Sequence, residues 1–238
     1  ALFSILFGTR HLDATERHEG MVAAVAFESV VKLVAFIAVG LFVTYGMFGG
    51  LGDLFQRAVA SPDLGRLLQL DSGRAGTWTS LILLSGLAIL FLPRQFQIIV
   101  VENVDESHLK RAVWLFPLYL LLINVFVLPL AIGGLLHFGG QGGNPDTFVL
   151  TLPLSRGAEA LALLAFIGGL SAATGMVIVE TIALSTMVCN DLVMPWLLRS
   201  TWLQIGKRAD LSGLLIGIRR VAIVLVLLLG YIYFRAAG

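Results

Sequence analysis

The chain has 238 residues, of which 58% are hydrophobic and only 13% are charged, and its formal net charge is +1. In soluble domains about a quarter of the residues are charged, so this composition excludes a soluble globular protein. The single cysteine, Cys189, excludes an internal disulfide. No Cys/His cluster has zinc spacing, so we predict neither a metal site nor a cofactor, and no nucleic-acid partner.

Five apolar segments are long enough to cross a lipid bilayer, which takes about 20 mostly apolar residues in a helix. None of them alternates as a barrel strand does, so we predict an all-α, polytopic membrane helical bundle. We expect one transmembrane domain fragment over residues 1–238, cut from a longer chain. The predicted spans are residues 21–48, 77–101, 113–136, 158–190 and 214–234.

Lys and Arg residues concentrate in three connections: before the first span, after the second and after the fourth. These connections lie on the same side of the membrane, and the positive-inside rule assigns that side to the cytoplasm. The other connections have fewer basic residues over longer stretches. We therefore expect a multi-pass protein with its first full span leaving the cytoplasm.

The first span contains two opposite charges, Glu28 and Lys32, in the stretch AFESVVKLVAF. Each charge costs roughly 2.5–3.5 kcal/mol at the centre of a bilayer. Residues i and i+4 lie on one face of a helix, and Glu before Lys is the more favourable order. The pattern predicts a pair of charges on one face of this span.

The second span is interrupted by the sequence LFLPRQFQ. Pro93 removes a backbone donor and disfavours a helical conformation at Leu92, so we predict a discontinuous span with a break near residues 91–93. The alternative is that the span ends there and the following QFQIIVVENV lies along the membrane interface. Broken backbone in a membrane is tolerated only against protein or a watery cavity. We therefore expect Leu90, Phe91 and Leu92 to face the bundle centre as candidate solute-binding residues.

The fourth segment is too long for one crossing, and its first half carries the small residues GGLSAATG at positions 168–175. Small residues allow close contact between membrane helices. We expect this stretch to lie opposite the break in the second span. Glu180 follows in the second half of the same segment.

Several sequence stretches together resemble the sodium/solute symporter family, to which sodium/proline and sugar symporters belong. The stretches are AVAFESVVK at the first span, the Pro-broken second span and STMVCNDLV at the end of the fourth. FGTRHLDATERHEG, LPRQFQIIVVEN and SAATGMVIVETIALSTMVCNDLVMP are similar to a subgroup in which the symporter-like domain is the sensor of a membrane histidine kinase. The resemblance covers nearly all of the chain, which corresponds to core helices five to nine of the family.

The resemblance implies an inverted-repeat secondary-transporter core with alternating access around a midplane site made by broken helices. It implies a small organic solute, amino acid-like or another metabolite, a kinase domain in the same chain, and the bacterial inner membrane as location. The alternative is a free-standing sodium- or proton-coupled symporter without a signalling role. We predict no catalytic residues in this segment, because no paired His ligands, HExxH motif or nucleophile–base set occurs.

The family's second sodium site uses two adjacent hydroxyl residues on core helix eight. Counting back from Asp191, these positions fall on Gly175 and Met176, which have no side-chain oxygen. Thr174 and Ser171 are the hydroxyl residues nearest to them. These four positions are the candidate ion-coupling residues on this helix, and their chemistry counts against sodium.

Lys32 and Glu180 have similar expected depths in the membrane. At ~1.5 Å per residue, Lys32 is roughly 18 Å from the cytoplasmic end of its helix and Glu180 roughly 16 Å from the end of its own. In the family these two helices are neighbours, so we expect Glu28, Lys32 and Glu180 to form one buried cluster. It is either a structural clasp or a proton-responsive site that replaces sodium; a third possibility is a lipid-facing Lys32 that extends to the interface.

Overall fold

The computed structural model describes residues 19–68, 75–139, 144–199 and 212–237, and every regular element in these ranges is helical. The all-α class is thereby confirmed. The α-helices that the structure describes are, in chain order, α1 (Glu19–Leu41), α2 (Leu51–Ala60), α3 (Pro62–Leu67), α4 (Ala75–Phe91), α5 (Pro93–Phe96), α6 (Ser107–Asn124), α7 (Val127–Phe138), α8 (Phe148–Ser155), α9 (Glu159–Met187), α10 (Met194–Arg199) and α11 (Ser212–Ala237). A short 3-10 helix, Pro145–Thr147, precedes α8.

Four helical stretches of the described residues are long and apolar enough to cross a membrane, and a bent pair of helices makes a fifth candidate. Long apolar runs favour helices there because a helix satisfies its own backbone hydrogen bonds. The chain is therefore a multi-pass membrane protein. The four stretches are Gly20–Met47, Ser107–Phe138, Glu159–Leu197 and Gly213–Ala237, and the bent pair is Gly76–Phe91 with Pro93–Val101.

Three of these candidate spans contain π-helical backbone, with hydrogen bonds from residue i+5 to residue i. The segments are Phe42–Met47 after α1, Gln97–Val101 after α5 and Val188–Val193 after α9. π-Helical turns are rare and occur frequently at functional sites. Each one here changes which side chains share a face near the end of a membrane helix.

The chain divides into two compact units by its internal contacts, and the single transmembrane domain fragment stays a prediction. The first unit comprises Ala1–Ala23, Gly86–Asn103 and Thr174–Gly238. The second unit comprises Ala24–Ser85 and Val104–Ala173.

The second unit has an apolar core in which glycines permit close approach of aromatic rings. A Cβ atom at Gly134 would overlap the ring of Phe148, and one at Gly40 would overlap the ring of Phe126. Small residues at such contacts supply van der Waals packing, the main source of helix association in lipid. The buried side chains of this core are Val39, Val43, Leu130, Phe148, Leu152 and Ala165.

A polar clasp closes the turn between the first π-helical segment and α2. Gly50 has a φ of 109°, a left-handed conformation that favours glycine. The Asp53 carboxylate accepts hydrogen bonds from the backbone N–H of Gly49, at 2.9 Å, and from Nε of Arg57, at 2.8 Å. The Arg57 guanidinium also lies 5.7 Å from the ring centroid of Phe48. One carboxylate thus holds both sides of the turn.

Helices α1 and α9 are in close contact within the second unit. A Cβ atom at Gly168 would lie 3.0 Å from Cβ of Ala35 and 3.6 Å from Cα of Lys32. Gly168 is buried, whereas Gly169 is exposed and has open space around it. The predicted role of GGLSAATG in close helix contact is therefore confirmed at Gly168.

The clasp predicts a dependence of stability on acid pH. Hydrogen bonds from Arg57 and then from Gly49 hold the pKa of Asp53 below its usual value. A carboxyl group whose pKa is lower in the folded state stabilises it above the unfolded pKa, about 3.9, and loses this contribution as pH falls through the folded pKa. We expect Asp53→Asn to lower the midpoint of thermal unfolding at pH 6. Near pH 3 we expect the midpoints of the variant and of the wild type to lie closer together. An equal difference at both pH values would contradict this role.

Gly168 and Gly169 form a matched pair for testing the α1–α9 contact. We expect Gly168→Leu to lower the free energy of unfolding by about 1–3 kcal/mol, the usual cost of overpacking. Gly169→Leu, one residue later on the same helix, should have little effect because its Cβ meets no neighbouring atom. The measurement is thermal or denaturant unfolding of the purified protein in detergent. Equal losses for the two variants would show that the contact is not tight.

Candidate functional site

The bent candidate span is interrupted at one residue, Leu92. This residue has an extended conformation, with φ −73° and ψ 124°, and the two helical parts are bent by 48°. The N–H of Gln95 donates to the Leu92 carbonyl at 2.9 Å, whereas in a continuous helix it would donate to Phe91. Pro93 has no N–H to offer the Ile89 carbonyl. The break therefore frees backbone carbonyls within the candidate span, inside the predicted range 91–93.

The three candidate solute-binding side chains surround this break and lie on the surface of the described structure. Leu90 is 67% exposed, Phe91 is 75% exposed and Leu92 is 44% exposed. These three side chains are thus accessible to another molecule in the described structure. Their role in solute binding stays a prediction.

A buried polar pair follows the break. Gln97 is 9% exposed and Glu102 is 5% exposed. The side-chain amide of Gln97 donates to Oε1 of Glu102 at 3.1 Å, and the backbone N–H of Glu102 donates to the Gln97 carbonyl at 2.9 Å. The π-helical hydrogen bond from residue i+5 to residue i brings these side chains to the same side of the backbone. Two polar residues that flank the apolar run IIVV are a visible signal for this pair, yet neither is among the predicted site residues.

Buried polar side chains are unequally distributed between the two units. Of the described residues, the second unit buries one, Thr44, whose hydroxyl has no hydrogen-bond partner. The first unit buries five, so its interior is the more polar of the two. These five are Gln97, Glu102, Thr181, Ser185 and Arg219.

The two buried hydroxyls of the first unit lie one turn apart on α9. Thr181 donates to the Val177 carbonyl at 2.7 Å, and Ser185 donates to the Ile182 carbonyl at 3.0 Å. Both hydroxyl protons are thus donated to carbonyls of the same helix. Both sit nearer the end of α9 than the positions that the family resemblance indicates.

None of the four predicted ion-coupling residues on α9 is fully buried. Ser171 is half-buried and its hydroxyl points to the Gly168 carbonyl at 3.4 Å. Gly175 is half-buried, whereas Thr174 and Met176 are exposed. Among the described residues, no group of three or more His, Cys, Asp or Glu side chains could hold a metal ion. Ion coupling through these positions stays a prediction.

Glu28 and Lys32 lie one turn apart on α1, so they share one face as their spacing predicts, and both are half-buried. The Lys32 ammonium attracts the Glu28 carboxylate electrostatically. The backbone of Lys32 faces Gly168. Glu180 lies twelve residues after Gly168 on α9, about 18 Å of helix rise, and belongs to the first unit. The structure thus places Glu28 and Lys32 within electrostatic range of each other on one helix, and their clustering with Glu180 stays a prediction.

The described residues also form an open cavity of about 490 Å³ within the first unit. Its walls come from the third π-helical segment and the first half of α11, and every lining side chain is apolar or absent. This cavity offers no polar group to orient a solute.

Comparisons of the chain with protein-family models, with curated proteins and with solved structures find no match.

The charge pair on α1 can be tested with a double-mutant cycle of Glu28→Gln and Lys32→Met. We expect Lys32→Met to destabilise the protein more than the double variant does, because one charge left in a membrane costs more than none. Unfolding in detergent should give a coupling energy of roughly 0.5 kcal/mol or more.

The same cycle with Glu180→Gln in place of Glu28→Gln tests the predicted three-charge cluster. Coupling there as well would support the cluster. Additive effects would remove Glu180 from it, and additive effects in both cycles would show that Lys32 acts alone.

Proposed function

We propose that this chain is the membrane part of a transporter-like protein that binds a small organic solute at the break in its second span. The observation that supports this best is the interruption at Leu92, with freed backbone carbonyls inside a candidate membrane span. Secondary transporters use discontinuous helices of this kind to bind solutes and ions. Lipid offers no partner for such groups, so a break of this kind needs a polar ligand, water or protein beside it.

The buried pair after the break supports the same proposal. Gln97 and Glu102 hold each other in place, and a fixed amide–carboxylate pair can support the backbone that carries a site. The solute is amino acid-like or a related metabolite, as the resemblance to proline and sugar symporters implies.

The family resemblance adds a role in signalling to the proposal. The stretches LPRQFQIIVVEN and SAATGMVIVETIALSTMVCNDLVMP are similar to sensor domains of membrane histidine kinases. In this role the solute-bound state is passed to a kinase domain of the same chain. A free-standing symporter is the alternative, and in either case Glu28 and Glu180 make protons the preferred coupling ion over sodium.

The solute site can be tested by cysteine labelling of the full-length protein in a Cys189→Ala background. We expect single cysteines at Leu90, Phe91 and Leu92 to react with a charged, water-soluble thiol reagent, because water must reach the freed carbonyls. A mixture of the standard amino acids should slow at least one of these reactions. The rate of labelling is read by mass spectrometry.

A cysteine at Leu83 is the matched control, since this residue is also exposed, at 62%, but lies on α4 away from the break. It should react only with lipid-soluble reagents. If all three break positions behave like Leu83, the break faces lipid and is not a solute site.

A further inference from the structure

Arg219 is a buried cation that no function discussed above uses. It lies seven residues after the start of α11, about 10 Å into the helix, and within the candidate span Gly213–Ala237. Its side chain is only 9% exposed, whereas Arg220 beside it is exposed. Arg219 is therefore covered by protein, unlike a lipid-facing arginine on the outside of a helix.

The side chain of Arg219 is buried with one of its hydrogen-bond donors unused among the described residues. Its Nε is fully buried and finds no hydrogen-bond acceptor among the described residues. An arginine remains protonated in proteins, so it cannot avoid the cost by losing its charge. Buried charges in membrane helices pair with each other or mark the path of a ligand or ion.

The first unit has one buried carboxylate among its described residues, Glu102, and this group has other partners. It accepts a hydrogen bond from the side-chain amide of Gln97. It has a further interaction as well. The buried hydroxyls of Thr181 and Ser185 are bound to carbonyls of their own helix. No hydrogen bond joins any of these groups to Nε of Arg219.

We propose that Arg219 is the anchor of an oxyanion site in the first unit. The planar fork of a guanidinium matches two oxygens of a carboxylate or a phosphate, and such paired hydrogen bonds are among the strongest in proteins. The anion comes either from a water-soluble solute or from the headgroup of an anionic lipid. The proposal does not depend on solute binding at Leu92, so the two can fail separately.

The test uses the purified full-length protein in nanodiscs of phosphatidylcholine. Sodium phosphate and sodium acetate are each compared with sodium chloride at equal ionic strength. A parallel preparation contains phosphatidylglycerol. A ligand that binds only the folded state raises the midpoint of thermal unfolding. We expect phosphate or acetate to raise it if the source is soluble, and phosphatidylglycerol alone to raise it if the source is lipid.

Three variants assign the effect to Arg219. Arg219→Lys keeps the charge but loses the fork, so we expect the concentration of half-maximal stabilisation to rise about tenfold or more. Arg219→Gln should abolish the response. Arg220→Gln removes the same charge from the exposed neighbour and should leave the response within about twofold of wild type.

Each remaining outcome overturns the proposal. If no probe stabilises the wild type beyond chloride, the site does not bind oxyanions, and this result requires no variant to fold. An unchanged response in Arg219→Lys places the binding elsewhere. If Arg219→Gln lowers stability and the added change Glu102→Gln restores it, the partner of Arg219 is the protein's own carboxylate.

Discussion

The structure depends most on one constraint: polar groups inside a membrane must find partners within the protein or in a watery cavity. Continuous helices meet this constraint for most of the chain. The exceptions are therefore informative. The break at Leu92 frees carbonyls, the π-helical segment Gln97–Val101 places an amide beside a carboxylate, and α11 buries a guanidinium. All three lie in the first unit.

The two units meet the constraint in different ways. The second unit is held by apolar side chains and by glycines that let Phe126, Phe148 and the backbone of α1 approach closely. Its exposed turn is closed by the Asp53 carboxylate. The first unit buries five of the six buried polar side chains among the described residues. A well-packed apolar unit suits a structural role, whereas polar groups retained at such cost suit the binding of a ligand.

The charges within the membrane helices fall into two kinds. Glu28 and Lys32 are opposite in sign and share one face of α1, so they can neutralise each other without a third group. Arg219 has no such neighbour on its own helix. A pair can serve as a structural clasp, whereas Nε of Arg219 has no hydrogen-bond acceptor among the described residues. This difference is the reason to look for a ligand near α11 as well as at the break.

The sequence by itself determined the all-helical class, the approximate positions of the membrane helices, the interruption near Pro93 and the shared face of Glu28 and Lys32. These features follow from local rules: the length of an apolar run, the missing N–H of proline and the helical repeat. Only the tertiary structure decided that Gly168 rather than Gly169 contacts α1, that Gln97 binds Glu102, and that Arg219 is buried while Arg220 is exposed. In a membrane protein the faces towards lipid and towards the protein interior are similarly apolar, so hydropathy does not distinguish them. Burial there is determined by which helices pack together, and adjacent residues with the same chemistry can have opposite environments.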